Sequence, residues 1–156
     1  MKKTVYLDST IPSYYFDERQ DVKFQSEITQ KWFKEELNSF EIYLSDATLE
    51  ELRSGNYPNK KKVTDFALQF EVLPAEKEVA EITDVYIQNY VMPKDRQGDA
   101  MHLAFASYYK IDFLLTWNCN HLANANKKQH IHIINTRLNL GIPEIITPLQ
   151  LFSVKE

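Results

Sequence analysis

The stretch from Gly98 to His121 constrains this chain more than any other. Its first half, Gly98-Asp99-Ala100-Met101-His102-Leu103-Ala104-Phe105-Ala106, puts apolar residues on most sides of a helix and has no internal breaker. A helix that apolar belongs inside a folded unit, not on its surface. Its second half, Ile111-Asp112-Phe113-Leu114-Leu115-Thr116-Trp117-Asn118, is a short apolar run closed by polar residues, the pattern of a buried strand. Asp99 therefore opens a buried helix, and Asn118 falls just past the carboxyl end of a buried strand. Both are places where an α/β protein presents polar groups to ligands. Taken alone, Asp99 has a simpler reading, as a helix-start charge answering the macrodipole.

The remaining segments supply partners for that pair. Thr4 to Leu7 reads as a short buried strand followed at once by Asp8, and Ser9-Thr10-Ile11-Pro12 as a turn into a helix. Between Asp21 and Leu37, Ile28, Trp32 and Phe33 recur at helical spacing among charged residues. Phe40 to Leu44 alternates as a second strand, and Ser45 or Asp46 caps a short helix ending near Gly55. Val63, Phe66, Ala67 and Phe70 predict a helix by their spacing, Val72-Leu73-Pro74 a brief strand or a turn, and Val79, Ile82 and Tyr86 a helix that Met92-Pro93 ends. Beyond Asn118 the expectations are a strand over Ile131 to Ile134, then Gly141, then a terminal helix started by Thr147-Pro148. Strands alternating with helices, with no repeat, low-complexity tract or linker, predict one domain over 1–156. Its fold class is α/β, a three-layer sandwich whose mostly parallel central sheet is covered by helices on both faces.

Composition narrows the function. At 156 residues and 44% hydrophobic content the chain is long enough for a proper core. No apolar run approaches the ~20 residues of a membrane span, and the run after Lys2-Lys3 is too short for a signal peptide. A single cysteine, Cys119, makes no internal disulfide, so a reducing, cytoplasmic setting is expected. A net charge of −4 argues against an extended basic surface for nucleic acid, though not against a local, metal-dependent phosphate site.

Three acids and an amide stand at strand ends or adjoining helix starts. Asp8 follows the first strand, Glu50 and Glu51 lie on the helix after the second, Asp99 opens the central helix, and Asn118 follows Thr116 past the next strand. In a parallel sheet these ends share one edge. Converging carboxylates repel one another unless a hard divalent cation, Mg²⁺ or Mn²⁺, sits between them with its waters. Such a cation activates water and stabilises charge developing on a phosphoryl group.

Four segments carry a resemblance: Tyr6-Leu7-Asp8-Ser9-Thr10; Leu44-Ser45 through Glu51-Leu52 and Gly55; Gly98-Asp99 through His102-Leu103-Ala104; and Leu114-Leu115-Thr116-Trp117-Asn118 with His121. In order and spacing, along nearly the whole chain, the sequence resembles PIN-domain ribonucleases, the toxin half of VapBC-type toxin–antitoxin pairs. The resemblance puts the family's metal-binding acids on Asp8, Glu51 and Asp99, with Glu51 preferred to Glu50 because the family's acid directly precedes an aliphatic residue. The fourth position, often Asp, is Asn118, and Ser9 and Thr116 match small hydroxyl residues lining such sites. It implies Mg²⁺- or Mn²⁺-dependent RNA cleavage by a metal-activated water, a cognate antitoxin as partner, and a homodimer. The Asn in the fourth position leaves open a catalytically weak or inactive PIN-fold binding protein.

Simpler readings stand beside these. His130 and His132 would share a polar face of the strand predicted around Ile131. His102, one helical turn past Asp99, either touches the site or is a hydrogen-bonded interior histidine, and His121 could assist near Asn118. Lys60-Lys61-Lys62 reads as a solvated face, and Tyr14, Tyr15 and Phe16 as packing before base stacking. Aspartyl-phosphatase and response-regulator readings lack their second acid near Asp8, and with three glycines there is no phosphate-binding loop.

Overall fold

The apolar strands bury side chains on both faces of the sheet, as parallel strands joined by helical crossovers do. The computed structural model describes residues 1–94, 97–118 and 125–154. Strands β1 (Lys3–Leu7), β2 (Phe40–Ser45), β3 (Glu71–Leu73), β4 (Phe113–Leu115) and β5 (Glu144–Ile146) form one sheet in the order β3-β2-β1-β4-β5, every pair parallel. In β1, Tyr6 points to one face while Val5 and Leu7 point to the other, and all three are fully buried. Tyr6, Leu114 and Ile145 meet helices α5 (Lys77–Gln88), α6 (Gln97–Tyr108) and α7 (Ala125–Arg137). Val5, Leu7, Leu115 and Ile146 meet α1 (Thr10–Tyr15), α2 (Lys23–Glu36), α3 (Asp46–Arg53) and α4 (Lys60–Ala67). Two cores with a sheet between them make the expected three layers. Among the described residues no helix is long and apolar enough to cross a membrane.

The strand order places the site. The chain runs from β1 outward through β2 to β3, then crosses back to β4 and outward to β5. The order thus reverses between β1 and β4, and at such a switch point the connections leave in opposite directions and open a crevice at the carboxyl ends. Asp8 extends β1 there, its N–H donating to Leu115 O (3.3 Å), and Thr116 extends β4, donating to Ile146 O (3.0 Å). Helix α6 crosses above this edge with Ala100 and His102 to Ser107 buried, as its composition requires.

Two predicted elements are corrected. Residues 131–134 belong to helix α7, not to a strand. Ile131, Ile134 and Asn135 are buried at helical spacing, whereas His132 and Ile133 are exposed. The alternation His130-Ile131-His132-Ile133 mimics period 2 only because an exposed isoleucine falls in step with it. The fifth strand is instead Glu144–Ile146, a three-residue segment too short to register as a periodic signal. Thr147-Pro148 starts a single 3₁₀ turn with a capping box rather than a full helix.

Candidate active site

Asp8 is set by the turn that follows β1. Its carboxylate is 2% exposed, and Oδ1 accepts from the Thr10 backbone N–H (3.0 Å) and the Thr10 hydroxyl (2.5 Å). Oδ2 accepts from the Thr116 hydroxyl. Each threonine oxygen in turn accepts a backbone N–H from the loop after β4: Trp117 N to Thr10 Oγ1 and Asn118 N to Thr116 Oγ1, both 2.9 Å. Two hydroxyls therefore stitch the two sides of the switch point together around one carboxylate. Burial pushes the Asp8 carboxyl upward. The charge on His102 and the hydrogen bonds from Thr10 and Thr116 oppose that without cancelling it.

Glu51 arrives from helix α3. Ser45 caps that helix, its side chain accepting from Ala47 N (3.2 Å) and Thr48 N (3.4 Å), and the cap fixes the direction in which the helix leaves β2. The Glu51 side chain is 42% exposed, yet both oxygens are engaged: Ser9 Oγ donates to Oε2 (2.8 Å), and His102 Nε2 lies 2.6 Å from Oε1. The latter contact is an ion pair whose geometry is not that of a linear hydrogen bond. Burial raises the Glu51 carboxyl, but His102 and Ser9 outweigh it and hold the group below its usual range. Burial acts in the opposite sense on His102, and there Tyr6, Glu51 and Asp8 together lift the imidazole well above its usual value. The two partners shift as an ion pair should. At Gly98, a β-carbon would come within 3.3 Å of Glu51 Oε1, so the start of α6 runs close against this carboxylate.

Asp99 and Asn118 meet directly. The Asn118 amide donates to Asp99 Oδ1 (3.2 Å) and Oδ2 (3.1 Å), and both residues are half-buried at the rim. Asp8 thus connects to Asp99 through Thr116 and Asn118, and Glu51 connects to α6 through His102 and the approach at Gly98. All four predicted residues lie on the same edge. They are not drawn onto one point: among the described residues no three His, Cys, Asp or Glu side chains form a ready metal-ligand cluster.

The other candidates divide. His102 satisfies both readings at once, being 1% exposed and in contact with Glu51. His130 and His132 sit on helix α7, half-buried and exposed respectively, not on a strand face. Lys61 pairs with Asp65 and Lys60 donates to Gly55 O, so that run is a solvated face. Tyr15 and Phe16 pack with Phe33 and Phe66 in an aromatic cluster, while Tyr14 meets Trp117 edge-on. His121 and Cys119 lie outside the described residues. Thr10 and Tyr6 have contacts at the site that no sequence motif assigns to them. The position of Thr10 had a signal, since an Asp side chain commonly accepts the backbone N–H two residues on. Tyr6, an inward strand residue, had none.

The architecture and its edge define a class: a doubly wound α/β protein with buried and rim carboxylates at the switch point of a parallel sheet. Solved structures of that class are similar to this chain. A toxin–antitoxin complex from Klebsiella pneumoniae superposes with a TM-score of 0.61 at 17% identity, covering 97% of this chain and all of that one. VapBC2 from Rickettsia felis, solved bound to a DNA fragment from its promoter, gives 0.57 at 14% identity, covering 92% and 98%. The chain therefore has the PIN-like fold that its sequence resemblance implied. No family model and no curated protein matches it.

Proposed function

We propose that the chain is the toxin of a VapBC-type pair, a cytoplasmic ribonuclease that depends on Mg²⁺ or Mn²⁺ and is neutralised by an antitoxin. The observation that carries this reading is the placement of Asp8, Glu51, Asp99 and Asn118, separated widely in sequence, along one edge of the sheet, where only Asp99 and Asn118 touch directly. The fold shared with toxin–antitoxin structures supports it. The donor set fits the cation, since all four side chains offer hard oxygens and Glu51 and Asp99 reach the rim. Asp8, Glu51, Asp99 and the Asn118 amide oxygen would hold it. When bound, the cation supplies an acidified water and neutralises charge developing on the phosphate.

The chain's own residues prepare that edge. Thr10 and Thr116 fix Asp8, Ser9 and His102 aim Glu51, and Asn118 orients Asp99. In the meantime His102 and the Asn118 amide answer charges that would otherwise repel. A net charge of −4 leaves little general attraction for RNA, so phosphate would be recruited at the acid edge through the cation. By resemblance the protein acts as a homodimer, with antitoxin side chains covering the acids.

The rival is a non-catalytic protein on the same fold, and the Asn118 amide facing Asp99 where a fourth acid is usual favours it. Purified protein should cleave RNA with Mn²⁺ and stop with EDTA. Expressed alone it should slow a bacterial host, and Asp8→Asn or Glu51→Gln should relieve that. No cleavage at millimolar Mn²⁺, with unchanged growth, would leave the binding protein.

A further inference from the structure

We propose that Tyr6 and His102 are positioning residues for Glu51, with the Tyr6 hydroxyl acting through the imidazole. Tyr6 is fully buried near the carboxyl end of β1, two residues before Asp8. Its hydroxyl lies 2.7 Å from His102 Nδ1, 2.7 Å from Ser45 Oγ and 3.3 Å from Thr48 Oγ1. Thr48 commits its proton to Leu7 O (3.0 Å), so towards Tyr6 it can only accept. Ser45 Oγ already accepts two N–H groups as the cap of α3. The phenol is thereby fixed on three sides, and it fixes one nitrogen of the ring. The other nitrogen meets Glu51.

These contacts close a circuit. It runs from the cap of α3 through β1 to α6, and returns to Glu51 further along α3 itself. A glutamate has three rotatable bonds, and this one is two-fifths exposed, so left alone it would sample many rotamers. Ser9, which precedes α1, and His102 from α6 grip one oxygen each. Ser9 is half-buried on the rim, whereas His102 is buried and held by Tyr6 from behind, so the rigid half of the grip is the Tyr6–His102 half. Supporting groups of this kind commonly set the orientation of the carboxylates they contact.

This deepens the proposed function and rests on it only for the consequences in cleavage. The test uses the full chain labelled with ¹³C at glutamate carboxyls, the Glu51 signal being assigned by its loss in Glu51→Gln. Tyr6→Phe should move that signal although Tyr6 does not touch Glu51. Tyr86→Phe, the same deletion in a buried network at the far end of α6, should leave it in place. An unmoved Glu51 signal in Tyr6→Phe overturns the proposal, whether or not the protein cleaves RNA. The second arm is the Mn²⁺ concentration for half-maximal binding, followed by the ion's own paramagnetic signal. Tyr6→Phe should raise it by about 10–100-fold. In a Glu51→Gln background the same change should add nothing further. Full additivity would mean Tyr6 acts by another route, and the proposal fails. A parent that binds no Mn²⁺ and cleaves nothing removes the nuclease reading instead, and the carboxyl signal still decides the positioning role.

Discussion

Helix α6 carries a polar network at each end, and the two are built differently. At its C-terminal end, Ser107 joins Tyr86 and Asn135: Tyr86 OH lies 2.6 Å from Asn135 Oδ1 and 2.9 Å from Ser107 Oγ, and Asn135 Nδ2 donates to Ser107 Oγ and to Gly141 O, both at 2.9 Å. Every member is neutral and every member faces another, so α5, α6, α7 and the turn at Gly141 are pinned together with nothing left over. At its N-terminal end, Asp99 and His102 join Asp8 and Glu51, three carboxylates against one imidazole. That network is open to the rim and has an excess of acceptors. A neutral closed network contributes rigidity. The open charged one has carboxylate acceptors to spare, and Thr10, Thr116, Ser9 and Asn118 supply donors to them.

The largest expected difference between the two ends comes from deleting a charge at one and a hydroxyl at the other. At ~4 Å and an effective dielectric of ~20, one charge pair contributes about 4 kcal/mol before desolvation. Asp99→Asn should therefore lower RNA cleavage at fixed Mn²⁺ by about a thousandfold while leaving urea unfolding of the metal-free protein nearly where it was. Tyr86→Phe should do the reverse, losing about 1–3 kcal/mol of stability with unchanged cleavage per folded molecule. Parallel losses in both variants would break the distinction between the ends.

A smaller effect is expected at alkaline pH. Burial, opposed only in part by the hydrogen bonds with Ser107 and Asn135, pushes the Tyr86 phenol up to about 12. An unfolded tyrosine titrates near 10, so the folded state keeps this proton longer. The stability it contributes is complete below about pH 10 and is lost as pH rises from there towards 12, roughly 2–3 kcal/mol at about 1.4 kcal/mol per pKa unit. Urea unfolding between pH 9 and 11.5 should be steeper with pH in the parent than in Tyr86→Phe. Equal slopes would mean that the phenol is not held by that network.

The same contrast explains what the sequence could and could not disclose. Helix α6, strand β4 and the Leu7-Asp8 junction are legible because burial on all sides leaves an uninterrupted apolar run, and a polar residue then marks its end. Asp8, Glu51, Asp99 and Asn118 are legible as a group because a parallel sheet gathers strand ends on one edge. The helix at 125–137 was not, because His130 to Ile133 fit a two-residue period as well as a helical one. Nor was the circuit through Tyr6: its hydroxyl meets partners 39, 42 and 96 residues away, and an inward strand tyrosine reads like any core aromatic. Side-chain chemistry at an edge follows from topology, whereas the partner of a buried hydroxyl follows only from packing.

The smallest expected effect falls on Asn118, and it sharpens where the open network ends. Its amide nitrogen donates to both oxygens of Asp99, and its amide oxygen can face a cation without adding charge. Asn118→Ala removes a dipole and two donors, so the Mn²⁺ concentration for half-maximal RNA cleavage should rise by about 10–100-fold, less than for Asp99→Asn. Asn118→Asp replaces donors with a second carboxylate beside Asp99. Without metal that variant should melt below the parent, because like charges then face each other across ~3–4 Å in place of a hydrogen bond. With metal the added charge should bind the ion more tightly, shifting the cleavage curve to lower Mn²⁺ and raising the melting temperature more than in the parent. The two effects have opposite signs on one substitution, and a stability change alone produces only the first. If Asn118→Ala leaves the Mn²⁺ curve unmoved, the amide belongs to the turn after β4, and the acid edge ends at Asp99.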